Sequence, residues 1–117
     1  MFTIKKEFSF SASHQLQGLP DNHPCSRLHG HNYKVIVELR SEKLDEIGFV
    51  QDYRELDLIK EFIDRELDHR HLNEIFPYNP TAENLAKNLC TYFKLKFTKV
   101  FAVTVKETDK TEARYES

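Results

Sequence analysis

The stretch CSRLHGHNY, residues 25 to 33, sets a thiol ahead of two imidazoles separated by one glycine. In an extended strand, residues two apart point the same way. His29 and His31 can therefore reach one ion, while Gly30 leaves room between them. His14 ends an apolar strand row, where an unpartnered imidazole would lose hydration for no return, and a neighbouring strand could bring it to the same point. Three neutral histidines with one position left open is the arrangement of a catalytic zinc, whereas a structural zinc is more often closed by four protein ligands. Cys25 is either a fourth ligand or a thiol held beside the metal as base or nucleophile, and its place in a loop next to Arg27 favours reactivity over packing.

Other ionisable residues say less by themselves. In LDHRHLN, residues 67 to 73, Asp68, His69 and His71 read as the polar end of a helix, where histidines suit the negative pole of the dipole. Glu107 prolongs the row Phe101, Val103, Val105. Either it faces inward and needs hydrogen-bond donors from a ligand, or the strand has already left the core. Cys90 lies on an apolar helical stripe and reads as a small core residue.

These side chains depend on a few regular elements. Phe2, Ile4, Phe8, Phe10 and Ala12 recur at every second position, and so do Tyr33, Val35, Val37 and Leu39, which marks two strands buried on one face. Asp52 followed by Glu55 resembles a capping box. Leu56, Ile59, Phe62, Ile63 and Leu67 then repeat at helical spacing as far as Asp68. A second helix is expected from NPTAENL, with Pro80 in its first turn, Glu83 at the positive pole, and Ala82, Leu85, Ala86, Leu89, Cys90 and Phe93 as its buried stripe. KVFAVTVKETD alternates again, TDKT makes a turn, and a last short strand falls at Ala113 to Tyr115. The order ββααββ predicts an α+β fold, with two helices on one face of a four-stranded antiparallel sheet. The exposed edges of so small a sheet favour oligomerisation.

At 117 residues and 39% hydrophobic content, the chain suits a single domain spanning 1–117. Its net charge of -2 offers no basic field for nucleic acid, and no run is apolar enough for a signal peptide or a membrane span. A soluble cytoplasmic protein with a small-molecule partner is expected, both cysteines being free thiols.

Taken together and in this order, His14, CSRLHGH, LDHRHLN, NPTAENLA and VKET resemble the 6-pyruvoyl-tetrahydropterin synthase family over essentially the whole chain. The three-residue gap between Cys25 and His29 is similar to the family's bacterial 6-carboxy-5,6,7,8-tetrahydropterin synthase branch of the queuosine pathway. The resemblance implies the tunnelling fold, in which three four-stranded sheets close a β-barrel and two trimers stack into a hexamer with active sites between subunits. It implies zinc on His14, His29 and His31, a general-base thiol at Cys25, an assisting pair Asp68 and His69, and Glu107 as anchor of the pterin ring. The implied reaction converts 7,8-dihydroneopterin triphosphate to 6-carboxy-5,6,7,8-tetrahydropterin, with loss of acetaldehyde and triphosphate. Arg27, Lys34, Lys106 and Lys110 are available to the phosphates, and the sequence does not choose among them. The alternatives are the pyruvoyl-forming reaction on the same metal and a non-catalytic metal-binding scaffold.

Overall fold

In the computed structural model, which describes residues 1–117, the two alternating rows become β1 (Phe2–His14) and β2 (His29–Ser41). They form an unbroken antiparallel ladder that runs from Phe2 opposite Ser41 to His14 opposite His29. Phe8, Phe10, Ala12 and His14 of β1, with Tyr33, Val35, Val37 and Leu39 of β2, are all buried on one face. Two helices supply the apolar cover, α1 (Asp57–Glu66) through Ile59 and Ile63 and α3 (Ala82–Lys96) through Leu85, Ala86, Leu89, Cys90 and Phe93. Each buried leucine, isoleucine or phenylalanine among them stabilises the fold by roughly 1.5–3 kcal/mol relative to exposure. The C-terminal hairpin comprises β4 (Val100–Thr108) and β5 (Thr111–Glu116), the latter longer than the expected Ala113 to Tyr115. No helix is long and apolar enough to cross a membrane.

The expected four-stranded antiparallel sheet needs correction. Five strands lie in the order β3-β1-β2-β4-β5, and β3 (Arg70–His71) runs parallel to β1 opposite Ala12 and Ser13. LDHRHLN is therefore not simply a helix end. The amides of Leu67 and Asp68 both donate to Ile63 O, which closes the helix. His69 then adopts φ +60 and donates its amide to Ser11 O, turning the chain onto the edge of β1. A one-turn helix, α2 (Leu72–Ile75), follows.

Two helix starts also shift. Asp52 caps a 3-10 turn at Tyr53–Leu56 by accepting from the Arg54 amide at 2.9 Å, and α1 begins only at Asp57. Thr81, not Pro80, opens α3, because its hydroxyl accepts from the Asn84 amide at 3.1 Å. Pro80 is thus left outside the helix, where its carbonyl is free to bond elsewhere.

The opposite face of the sheet is polar but not uniformly wet. Glu38 is only 4% exposed and takes hydrogen bonds from Arg114 Nε at 2.7 Å and Nη2 at 3.2 Å. Those bonds hold its carboxyl below the usual range, against the opposing effect of burial. The folded value lies below the unfolded one, so the stabilisation is complete above the unfolded value and fades as pH falls through the folded value. Glu38→Gln is expected to lower stability by about 1–3 kcal/mol at neutral pH. Urea unfolding should show that gap narrowing towards about pH 3. An equally large gap in acid would mean that packing, not charge, is what the substitution removes.

Candidate metal centre

The strand ladder brings the three expected histidines together. His14 and His29 face each other across the last β1–β2 pair, His31 lies two residues along β2, and the ligand nitrogens of all three fall within 4.8 Å of one another. This group can hold a metal. His14 is fully buried and the other two are partly so.

The proton positions strengthen that reading. A backbone carbonyl only accepts, so the ring nitrogen facing it carries the hydrogen. His14 Nδ1–H donates to Pro80 O at 2.8 Å and His29 Nδ1–H donates to Arg27 O at 2.7 Å. The two Nε2 lone pairs are then turned towards each other at 2.8 Å. Two neutral rings hold that approach only with a cation shared between them. Burial keeps the His14 imidazole below its ordinary range, despite the raising influence of the Pro80 carbonyl and Glu107. Burial lowers His31 as well, with Glu107 opposing and His29 adding to the effect. In His14 and His29 the outer nitrogen is thus bonded to a main-chain carbonyl and Nε2 is left for a ligand, the form in which histidines hold metals.

His31 Nε2 completes the picture. It is buried and makes no hydrogen bond, although Glu107 Oε2 approaches to 3.2 Å without the alignment one requires. The same carboxylate oxygen lies 3.3 Å from His14 Nε2. Glu107 thus faces inward at the rim of the cluster, and it also lines a cavity of about 440 Å³ between α3 and the β4–β5 hairpin.

Cys25 stands outside the cluster. It sits in the 3-10 turn Pro24–Ser26, partly buried, with its amide bonded to His23 Nδ1 at 3.1 Å and its carbonyl accepting from the Leu16 amide at 3.0 Å. The thiol is free, as is that of Cys90, which is buried on α3 as expected. Asp68 and His69 form a pair on the edge of β1. Asp68 Oδ1 accepts from the Ser11 amide at 2.8 Å, and Oδ2 lies 2.9 Å from His69 Nδ1. The Ser11 amide first, and His69 after it, hold the Asp68 carboxyl below the usual range. The His69 ring is 83% exposed, so it is open to anything that docks there.

Two participants were not foreseen. The Tyr33 hydroxyl lies 3.1 Å from His14 Nδ1, and the ring stacks on Phe10 at 4.8 Å, so a residue read as part of an apolar row also braces a candidate ligand. Burial pushes its hydroxyl pKa upward, which keeps it neutral. The other is the pair Ser13 Oγ and His71 Nδ1, 2.9 Å apart across β1 and β3. It could not be anticipated without β3 itself.

A family model described as 6-pyruvoyl tetrahydropterin synthase matches residues 3–117. The chain is 36% identical to 6-carboxy-5,6,7,8-tetrahydropterin synthase of Synechocystis sp., with 98% of this chain and 93% of that one covered. It is 37% identical to dihydroneopterin monophosphate aldolase of Pyrococcus furiosus, over 75% of this chain and 78% of the other. Its structure is similar to that of Caenorhabditis elegans 6-pyruvoyl tetrahydropterin synthase, with a TM-score of 0.87 and 28% identity over 99% of this chain and 95% of that one.

Proposed function

The chain belongs to the 6-pyruvoyl tetrahydropterin synthase family, and from that premise we propose that it is a zinc-dependent 6-carboxy-5,6,7,8-tetrahydropterin synthase serving queuosine and 7-deazaguanine biosynthesis. It converts 7,8-dihydroneopterin triphosphate to 6-carboxy-5,6,7,8-tetrahydropterin, taking up water and losing acetaldehyde and triphosphate. The observation that carries the reading is the pair of Nε2 lone pairs of His14 and His29 facing each other at 2.8 Å beside the unbonded His31 nitrogen. The relative from Synechocystis, matched almost end to end, supports the carboxy product.

Each residue then has a task suited to its chemistry. His14, His29 and His31 hold the zinc, which when bound supplies a Lewis acid for the oxygens of the substrate's side chain. Glu107 accepts hydrogen bonds from the amino and ring N–H groups of the pterin, fixing the side chain so that proton removal is effectively unimolecular. Cys25 removes the carbon-bound proton. His69, kept in register by Asp68, performs the complementary transfer. The high exposure of His69 and the edge of β1 left uncovered by the two-residue β3 support a site completed between subunits, with each 1–117 tunnelling-fold domain contributing to a trimeric barrel and two trimers to a hexamer.

The test uses one purified sample. Metal content is measured, the protein is incubated with 7,8-dihydroneopterin triphosphate, and the product is identified by mass together with an assay for acetaldehyde. A 6-carboxytetrahydropterin mass with acetaldehyde release is expected. A pyruvoyl product without acetaldehyde would assign the sister reaction, and metal-loaded protein without turnover would leave only a metal-binding scaffold.

A further inference from the structure

Residues 15–28, the segment that carries Cys25, include no buried residue, and none of its leucines joins or packs against the apolar core. A loop without core anchors takes its position from hydrogen bonds. From outside the segment, such bonds reach it at Gln15, Gln17 and Arg27 alone. The His29 ring donates to Arg27 O, and two asparagines take hold of Gln15 and Gln17. Neither asparagine has a task in the mechanism above, although Asn73 ends the motif LDHRHLN and Asn79 begins NPTAENL.

The two contacts have the same form. Asn73 Oδ1 accepts from the Gln15 amide at 2.8 Å while its Nδ2 donates to Gln15 O at 2.7 Å. Asn79 Oδ1 accepts from the Gln17 amide at 3.0 Å while its Nδ2 donates to Gln17 O at 3.1 Å. A primary amide carries the donor and acceptor of a peptide group, so each side chain satisfies both main-chain groups of one residue, as a neighbouring strand would. They take over where β3 stops, since β3 pairs with β1 only at Ala12 and Ser13. Between the two clamps the Leu16 amide donates to the Cys25 carbonyl at 3.0 Å, and Gln15 Nε2 donates to Ser26 O at 2.8 Å. The anchors are themselves fixed. Asn73 lies in α2, and the Asn79 carbonyl accepts from the Thr81 amide and from Asn84 Nδ2, both at 2.8 Å.

We propose that Asn73 and Asn79 are positioning residues for Cys25, holding residues 15–17 so that the turn hung on them presents the thiol to the site. The proposal rests on the general-base role given to Cys25 above. The test uses metal-loaded Asn73→Asp, Asn79→Asp and the double change, with Asn88→Ala, which removes an exposed side-chain bond within α3, as control. Aspartate keeps the size and the acceptor of asparagine and loses the donor to the glutamine carbonyl. Turnover of 7,8-dihydroneopterin triphosphate is measured beside the rate at which iodoacetamide labels Cys25, read by mass spectrometry with Cys25→Ala as the blank. Each single change is expected to lower kcat by about 3–10-fold and the double change by about 100-fold, with KM and metal content unchanged. Labelling of Cys25 should speed up severalfold in step with the loss, because the partly buried thiol is released with its loop. Asn88→Ala should match the wild type in every readout. Wild-type labelling in the double variant, a change confined to KM, departure of the metal, or equal losses in Asn88→Ala would each overturn the assignment. Faster labelling at unchanged kcat would uphold the clamps and withdraw the base role from the thiol.

Discussion

His29→Ala is expected to strip the protein of metal while leaving its fold in place. His29 contributes one of the three clustered ring nitrogens, and its ring is oriented by the Arg27 carbonyl at 2.7 Å. Loss of an outer partner of a metal ligand costs about 10–100-fold in affinity, so loss of a ligand should exceed the upper end of that range. The substitution also removes one of the two lone pairs opposed at 2.8 Å, and with it the repulsion that makes the metal-free state unfavourable. His29 is partly exposed and is not part of the apolar core cluster, so alanine there opens no core cavity. Elemental analysis of the purified variant and a chelator competition titration read the affinity. Melting with and without chelator reads the coupling to stability. A ligand at 100 times its dissociation constant stabilises by about 2.7 kcal/mol, so chelator should lower the wild-type melting temperature by several degrees and leave His29→Ala unmoved. A variant that keeps a full complement of metal would remove the basis for the centre, and with it the proposed chemistry.

That centre was legible in the sequence because it is built on strand parity. His14 continues the row of Phe8, Phe10 and Ala12, His31 and His29 continue the row of Val35 and Tyr33, and Glu107 follows Val103 and Val105; an antiparallel ladder brings these rows onto one face whatever the loops do. What escaped is built on backbone groups and isolated residues. The tautomers of His14 and His29 are set by the carbonyls of Pro80 and Arg27, and no residue type announces where a carbonyl will point. Pro80 is available for this because Thr81 takes the capping position and leaves it outside the helix, not in the first turn as expected. β3 has two residues and no periodicity to read, and the turn into it depends on a positive φ at His69, a conformation usually signalled by glycine. The Asp68 contact to Ser11 spans 57 residues and follows from that same turn.

Cys25→Ala separates proton transfer from metal binding. The turn that carries Cys25 is tied down by main-chain groups, with the Cys25 amide to His23 Nδ1, the Cys25 carbonyl to Leu16 N and the Ser26 carbonyl to Gln15 Nε2, so alanine removes the thiol and none of these bonds. The thiol is not part of the histidine cluster. Metal content and assembly are therefore expected to match the wild type. Turnover is a different matter, because a positioned general base contributes about 10²–10⁴-fold to the step it serves. The loss should appear in kcat, with KM little changed, since the role proposed for the thiol is on the departing proton and the ground-state contacts are those proposed for Glu107. His23→Asn provides a companion measurement, because asparagine retains a side-chain acceptor for the Cys25 amide and should retain most activity. Normal kcat in Cys25→Ala would withdraw the base role from this thiol. Departure of the metal together with the thiol would make Cys25 a fourth ligand, and the proton would then have to leave through another residue.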